Sequence, residues 1–140
     1  MKTELRNRGF SIVEILVVIA IIGVIAAIAI PYLSKFTDVA DREKTRRNAQ
    51  NLALVASAAA ATGLDFTQSG KNSVDQVISN VIAGAAVANG SFEGEIFKAP
   101  NMALEEAAPA SAYLKVEGRA LQYDPSGSQT PITSLPASNM

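Results

Sequence analysis

The sequence predicts an α+β protein in which a long N-terminal α-helix is followed by a small C-terminal head. Three observations predict it: residues 15–34 carry no charge, residues 35–61 continue with helical signals, and residues 113–123 alternate like two short strands. The head should hold a short helix and an antiparallel β-hairpin or small sheet. Because roughly 75 of the 140 residues follow the long helix, the head can bury only a small core.

The first half of the long helix has the length and composition of a membrane span. Rising about 1.5 Å per residue, the uncharged stretch 15–34 covers about 30 Å, the thickness of the hydrocarbon layer of a bilayer. Glu14 stands at its front edge, where an ionised carboxylate costs roughly 2.5–3.5 kcal/mol unless it pairs or stays near the interface. Pro31 predicts a kink or local unwinding over residues 27–30, but not the end of the helix.

The second half of the helix is predicted to be amphipathic. Residues 35–47 are dense in charge, and residues 49–61 place apolar side chains at helical spacing on one face. Gly63 is a suitable residue to end the helix. The predicted face consists of Leu52, Val55, Ala56, Ala59 and Ala60.

Local patterns predict the elements of the head. Ser73 and Gln76 form a capping-box pattern that opens a second, short helix, which Gly84 ends. Residues 95–99 predict a brief strand and residues 104–108 a helical turn before a proline. Gly118 lies between the two alternating stretches of the hairpin and supplies the positive φ of its turn. The loops around residues 63–65, 93–95 and 105–106 are interpreted as solvated.

Composition argues against an enzyme. The chain has no Cys, which excludes disulfides and cysteine-based metal or redox sites, and no His, the commonest general base. We therefore expect no catalytic residue and no cofactor. Residues 65–140 carry four basic and eight acidic side chains, which does not suggest nucleic-acid binding. The basic residues Lys2, Arg6 and Arg8 predict a cytoplasmic N-terminus, with the head on the other side of the membrane.

The stretch from Gly9 to Glu14 resembles the N-terminus of type IV pilins and type II secretion pseudopilins. In that family a short basic leader ends in glycine, a membrane-embedded aspartyl peptidase cuts after it, and the new N-terminal residue, usually phenylalanine, is N-methylated. The matching features here are the leader 1–9, the junction Gly9–Phe10, Glu14 and the helix-bending Pro31. The resemblance covers Met1 to about Pro31 without a departure from the pattern.

The resemblance implies a pilin-like fold and a division of the chain. The leader 1–9 is removed, residues 10–34 form the transmembrane and filament-core helix, and residues 35–62 continue it. Residues 63–124 form the head, and residues 125–140, rich in Ser, Pro and Thr, a flexible tail.

The implied function is that of a structural subunit of a type II secretion pseudopilus or a type IV pilus. Once the leader is removed, the Phe10 ammonium can be neutralised by Glu14 of a neighbouring subunit inside a shared apolar core. The implied partners are the prepilin peptidase and methylase, other pilin subunits, the inner-membrane assembly platform with its ATPase, and the bilayer. The implied location is the inner membrane, single-pass, with a periplasmic head, and after assembly a periplasmic or extracellular filament.

Two departures from the family bear on which machine uses the subunit. Major pseudopilins usually bind calcium in an acidic C-terminal loop, but after Tyr123 only Asp124 is acidic, too few oxygen ligands for Ca²⁺, so we expect no metal site. The paired cysteines frequent in type IV pilins are absent. A short head without Cys favours a pseudopilin that supports protein secretion.

Two alternatives remain open from the sequence. The first is a type IV or competence pilin for adhesion, motility or DNA uptake, which an exposed basic patch would favour; the basic cluster of the helix is Arg42, Lys44, Arg46 and Arg47. The second is a secreted protein with an ordinary signal peptide cut after Ala29, because residues 27–29 have the small-x-small cleavage pattern.

Overall fold

The computed structural model describes residues 10–139 and confirms the predicted α+β class. In chain order the elements are α1 (Ile12–Ala61), α2 (Val74–Ala83), β1 (Ala85–Ala86), β2 (Ile96–Phe97), α3 (Leu104–Ala107), a 3-10 helix (Ala108–Tyr113), β3 (Leu114–Glu117) and β4 (Ala120–Tyr123). The chain divides into two compact units between Ala40 and Asp41. The predicted leader, with Gly9, lies outside the described residues.

Between residues 10 and 40, the described part of the first unit, the N-terminal part of α1 is the only element. The helix begins at Ile12, and the backbone N–H groups of Glu14 and Ile15 donate to the carbonyl of Ser11 at 3.0 and 3.3 Å. Helical structure is continuous over residues 27–30, so the local unwinding predicted there is absent. Pro31 removes one hydrogen bond from the ladder, and α1 tolerates that loss.

The second unit contains one hydrophobic core, to which α1 contributes its predicted face. Leu52, Ala56 and Ala59 are buried there as predicted, while Val55 and Ala60 lie partly exposed at its margin. α2 adds an apolar stripe, and the β3–β4 hairpin adds one leucine from each strand. The core also includes Ala49, Ala53, Phe66, Val77, Ile78, Val81, Leu114 and Leu121.

α2 forms where predicted, but the capping box does not. Ser73 has the extended backbone of an N-cap residue and makes no side-chain capping hydrogen bond. Gln76 instead donates to the carbonyl of Ala137 at 2.7 Å. The predicted reciprocal hydrogen bonds between Ser73 and Gln76 therefore do not form, and the Gln76 side chain binds a residue 61 positions further along the chain. The helix ends at Gly84, whose φ of 79° and ψ of 156° define a conformation outside αL that is open essentially to glycine alone.

The strands form two separate two-stranded antiparallel sheets. The predicted hairpin is confirmed: Leu114 pairs with Tyr123 and Glu117 with Ala120, around Gly118 at φ 59°. The strand predicted within residues 95–99 is shorter, covering Ile96–Phe97, and pairs with Ala85–Ala86. The sequence did not predict that partner, because two alanines carry little preference for a strand.

The segment after β4 contains no helix or strand in its described part, yet it contacts the head repeatedly. The backbone N–H of Gln129 donates to the carbonyl of Ala112, and that of Ile132 donates to the Ser111 hydroxyl. Further along, the backbone N–H of Asn139 donates to the Asn80 side chain at 3.0 Å. These contacts were not predicted, because no local pattern indicates them, and the flexibility of this segment stays a prediction.

Candidate processing and assembly segment

Phe10 lies ahead of α1, outside any helix or strand, and the residue is 77% exposed. Because Gly9 falls outside the described residues, the structure describes only one side of the predicted cleavage junction. A peptidase requires accessible, non-helical backbone at the bond it cuts, since helical hydrogen bonds would hold the chain away from the catalytic groups. Phe10 meets this requirement.

Glu14 lies in the first turn of α1, where a carboxylate is favoured by the positive end of the helix dipole. Its side chain is exposed and makes no ion pair or hydrogen bond with any residue between 10 and 139. The apolar residues that follow it offer no counter-charge. A cation for Glu14 must therefore come from outside the described part of this chain.

The apolar part of α1 is exposed on every side. The helix is long and apolar enough to cross a membrane, and its most apolar stretch has no buried residue. An apolar surface all round a helix requires lipid or other helices as its surroundings, whereas a helix on a soluble core buries one face. Pro31 lies inside this helix, as predicted. The large exposed side chains here are Ile12, Val13, Ile15, Leu16, Val17, Val18, Ile19, Ile21, Ile22, Val24, Ile25, Ile28, Ile30, Tyr32 and Leu33.

The basic cluster is partly engaged by the head. Lys44 pairs with Glu106, and this charged hydrogen bond raises the pKa of Lys44 and lowers that of Glu106. Arg46 pairs with Glu43 at 3.1 Å, and its guanidinium lies 5.6 Å from the centre of the Tyr113 ring. Half of the four cations of the cluster are thus held by partners within the second unit.

Asp65 was interpreted from the sequence as a solvated loop residue, and this is wrong. Its side chain is 13% exposed and accepts hydrogen bonds from the backbone N–H groups of Thr67 and Ser69 at 2.9 and 2.7 Å. Arg119 donates to it at 3.0 Å. Burial alone would raise the pKa of Asp65, but these hydrogen bonds together lower it below the usual value. The Asp-Phe-Thr-Gln-Ser spacing was the available signal, since Asp often bonds backbone two residues on.

The described residues contain no group of three or more acidic side chains that could hold a metal ion. Asp124, the one acid after Tyr123, accepts hydrogen bonds from the backbone and hydroxyl of Ser126 at 2.9 and 2.6 Å. Its carboxylate therefore stabilises the turn that follows β4. The expectation that the head binds no calcium stays a prediction.

Comparison with known proteins adds one finding. Residues 5–30 match a family model described as the prokaryotic N-terminal methylation motif. No curated protein and no solved structure matches the chain significantly. The match includes Gly9, Phe10 and Glu14, and it overlaps the apolar part of α1. The resemblance read from the sequence is confirmed: residues 5–30 are the prepilin-type cleavage and methylation segment found in precursors of type IV pilins and pseudopilins.

Proposed function

We propose that this chain is a structural filament subunit of a type II secretion pseudopilus, which supports protein secretion. The observation that carries the proposal is the coincidence of a methylation motif with an apolar helix that has no buried residue in its most apolar stretch. A helix of this kind can be surrounded by lipid before assembly and by the same helices of other subunits afterwards. The chain itself catalyses nothing; its role is to polymerise.

Removal of residues 1–9 gives Phe10 a free amine, and methylation leaves that amine charged. Glu14 of a neighbouring subunit then supplies the missing counter-charge. In an apolar core an unpaired charge costs much more than a matched pair, so the axial offset that brings Glu14 to a Phe10 amine is favoured over others. This pairing sets the register of one subunit against the next.

The same features support a precursor anchored in the inner membrane. Residues 10–34 cross the bilayer, the basic leader stays in the cytoplasm, and the head lies in the periplasm. Prepilin peptidase acts on the junction Gly9–Phe10. An inner-membrane platform, with an ATPase on the cytoplasmic side, moves subunits into the filament.

A secretion pseudopilus is favoured over an adhesive or DNA-uptake pilus by the head. The head lacks cysteine, is short, and is acidic over residues 65–140. Two of the four cations in the basic cluster have partners within the second unit, which leaves little free positive charge for a nucleic acid.

The first test is the intact mass and N-terminal sequence of the protein isolated from membranes. We expect a chain that begins at Phe10 and carries one extra methyl group. A chain beginning at Ile30 would overturn the proposal in favour of an ordinary signal peptide, and an uncut Met1 would indicate a plain membrane anchor.

The second test separates processing from assembly. We expect Glu14→Gln, which removes only the charge, to leave cleavage intact and to abolish filaments. Asp38→Asn is the matched control, because it removes an exposed carboxylate from the same helix without touching the proposed pair. Filaments of normal yield from Glu14→Gln would contradict the proposed role of Glu14.

A further inference from the structure

The head half of α1 has an outward surface on which Arg47 is followed by uncharged residues. No charged residue occurs between Arg47 and Asp65. Spaced by three or four residues, an exposed row runs along the helix opposite its buried face; this outer stripe consists of Arg47, Asn51, Leu54, Ala58 and Ala61. Leu54 is 67% exposed. A helix face that remains in water normally carries charges, so this stripe has the composition of a surface covered by protein.

A second unusual surface lies at the connection between β1 and β2. Residues 90–96, called the β1–β2 tip, are all exposed, including two large apolar side chains, Phe92 at 52% and Ile96 at 70%. The tip is fixed by backbone hydrogen bonds of 2.9–3.0 Å: the N–H of Val87 donates to the carbonyl of Glu95, that of Gly94 to the carbonyl of Val87, and that of Glu95 to the carbonyl of Phe92. It therefore presents apolar side chains on ordered backbone.

The charges of the two surfaces are opposite. The tip contains Glu93 and Glu95 and no cation. The stripe begins with Arg47, which makes no ion pair with any residue between 10 and 139. Each surface thus combines exposed apolar side chains with unneutralised charge of one sign. Complementary charge of this kind selects one partner and one orientation.

We propose that the β1–β2 tip of one copy docks on the outer stripe of α1 of a second copy, with Phe92 and Ile96 against Leu54 and the tip carboxylates near Arg47. Both surfaces are exposed within a single chain, so the contact is made between copies. The inference rests on the proposed function and adds a head contact to the assembly made by the N-terminal half of the helix.

Because the chain has no cysteine, disulfide crosslinking in the full-length protein can test this contact without background. Two versions with different tags, Leu54→Cys and Phe92→Cys, are expressed together, and a mild oxidant joins thiols that lie close. Leu54→Cys with Gln122→Cys is the matched control, because Gln122 is exposed on the other hairpin. We expect the mixed-tag dimer to exceed the control about tenfold, which corresponds to a preference of 1.4 kcal/mol.

Charge reversal provides the second readout. Glu93→Arg with Glu95→Arg should reduce the mixed-tag dimer to the control level, and adding Arg47→Glu should restore it. Equal crosslinking of Phe92→Cys and Gln122→Cys, in cells where filaments form, would overturn the docking contact and leave the proposed function intact. Failure of the unmodified chain to form filaments would overturn the proposed function instead.

Discussion

At the scale of single residues, Asp65 organises the loop that joins α1 to α2. The carboxylate accepts two backbone hydrogen bonds within its own loop and a charged one from Arg119, 54 residues away. The hydroxyl of Thr67 lies 3.2 Å from the carbonyl oxygen of Gly118, at the turn of the β3–β4 hairpin, and donates a hydrogen bond to it. One partly buried carboxylate therefore ties the loop to that turn.

The lowered pKa of Asp65 makes the head sensitive to acid. Since the folded-state pKa lies below that of the unfolded chain, near 3.9, the stabilisation is present above that pH and is lost as pH falls through the folded-state pKa. We expect urea unfolding of the detergent-solubilised chain to show falling stability as the pH drops below about 4. Asp65→Asn should remove that part of the pH dependence, whereas Glu93→Gln, at an exposed site, should not. An unchanged pH profile in Asp65→Asn would contradict this assignment.

At the scale of secondary-structure elements, the loop and the β3–β4 hairpin approach through glycine. Gly70 has φ 78°, and a Cβ built on it would lie 2.9 Å from the carbonyl oxygen of Gly118. Gly90 has φ 106°, but a Cβ there would meet nothing within 4 Å. An alanine would be strained by the positive φ at both positions, but only at Gly70 would its Cβ also clash with a neighbouring carbonyl.

Comparing alanine substitutions at Gly70 and Gly90 tests how closely the loop packs against the hairpin. We expect Gly70→Ala to lower the free energy of unfolding by about 1–3 kcal/mol more than Gly90→Ala, because a backbone carbonyl cannot move aside like a flexible side chain. Urea unfolding of both variants gives the comparison. Equal losses would mean that strain alone, and not the close approach to Gly118, sets the cost.

The elements predicted from the sequence are those defined by local signals. α1, α2 and the β3–β4 hairpin follow from periodicity and from glycines at their ends. β1 was missed because its only strand signal is its partner β2, ten residues away. The partnership of Asp65 with Arg119 was missed for a similar reason, since the two residues are 54 positions apart in sequence. The motif at residues 5–30 was predicted because its residues are contiguous in sequence.

At the scale of the whole molecule, Asn80 joins three separate parts of the second unit. Its side chain is fully buried; its amide donates to the carbonyl of Phe66 at 3.2 Å, and its oxygen accepts from Ser138 and Asn139 at 3.0 Å each. The loop after α1, α2 itself and residues 138–139 meet at this one carboxamide. The chain has no cysteine, so these hydrogen bonds of Asn80, rather than a disulfide, connect the three parts.

We expect Asn80→Leu, which keeps the approximate volume and removes the polar atoms, to destabilise the head by about 1–3 kcal/mol, because buried partners lose their hydrogen bonds. Hydrogen exchange at the amide of Asn139 should become much faster, which reports release of this segment directly. Asn89→Leu, at an exposed position, serves as the control. Unaltered exchange at Asn139 would show that other contacts hold residues 138–139.

The exposed apolar surface of α1 has a consequence for how a subunit travels. Residues 15–34 present apolar side chains on every side of the helix, so we expect a subunit to pass from the membrane to the filament without entering water. Exchanging acyl chains for the side chains of like helices changes the hydrophobic free energy little, because both surroundings are apolar. On the proposed function, the transfer between bilayer and filament is then nearly neutral and reversible, and its direction is imposed by the proposed ATPase and the proposed pairing at Glu14. A filament of that kind would return its subunits to the bilayer for further use.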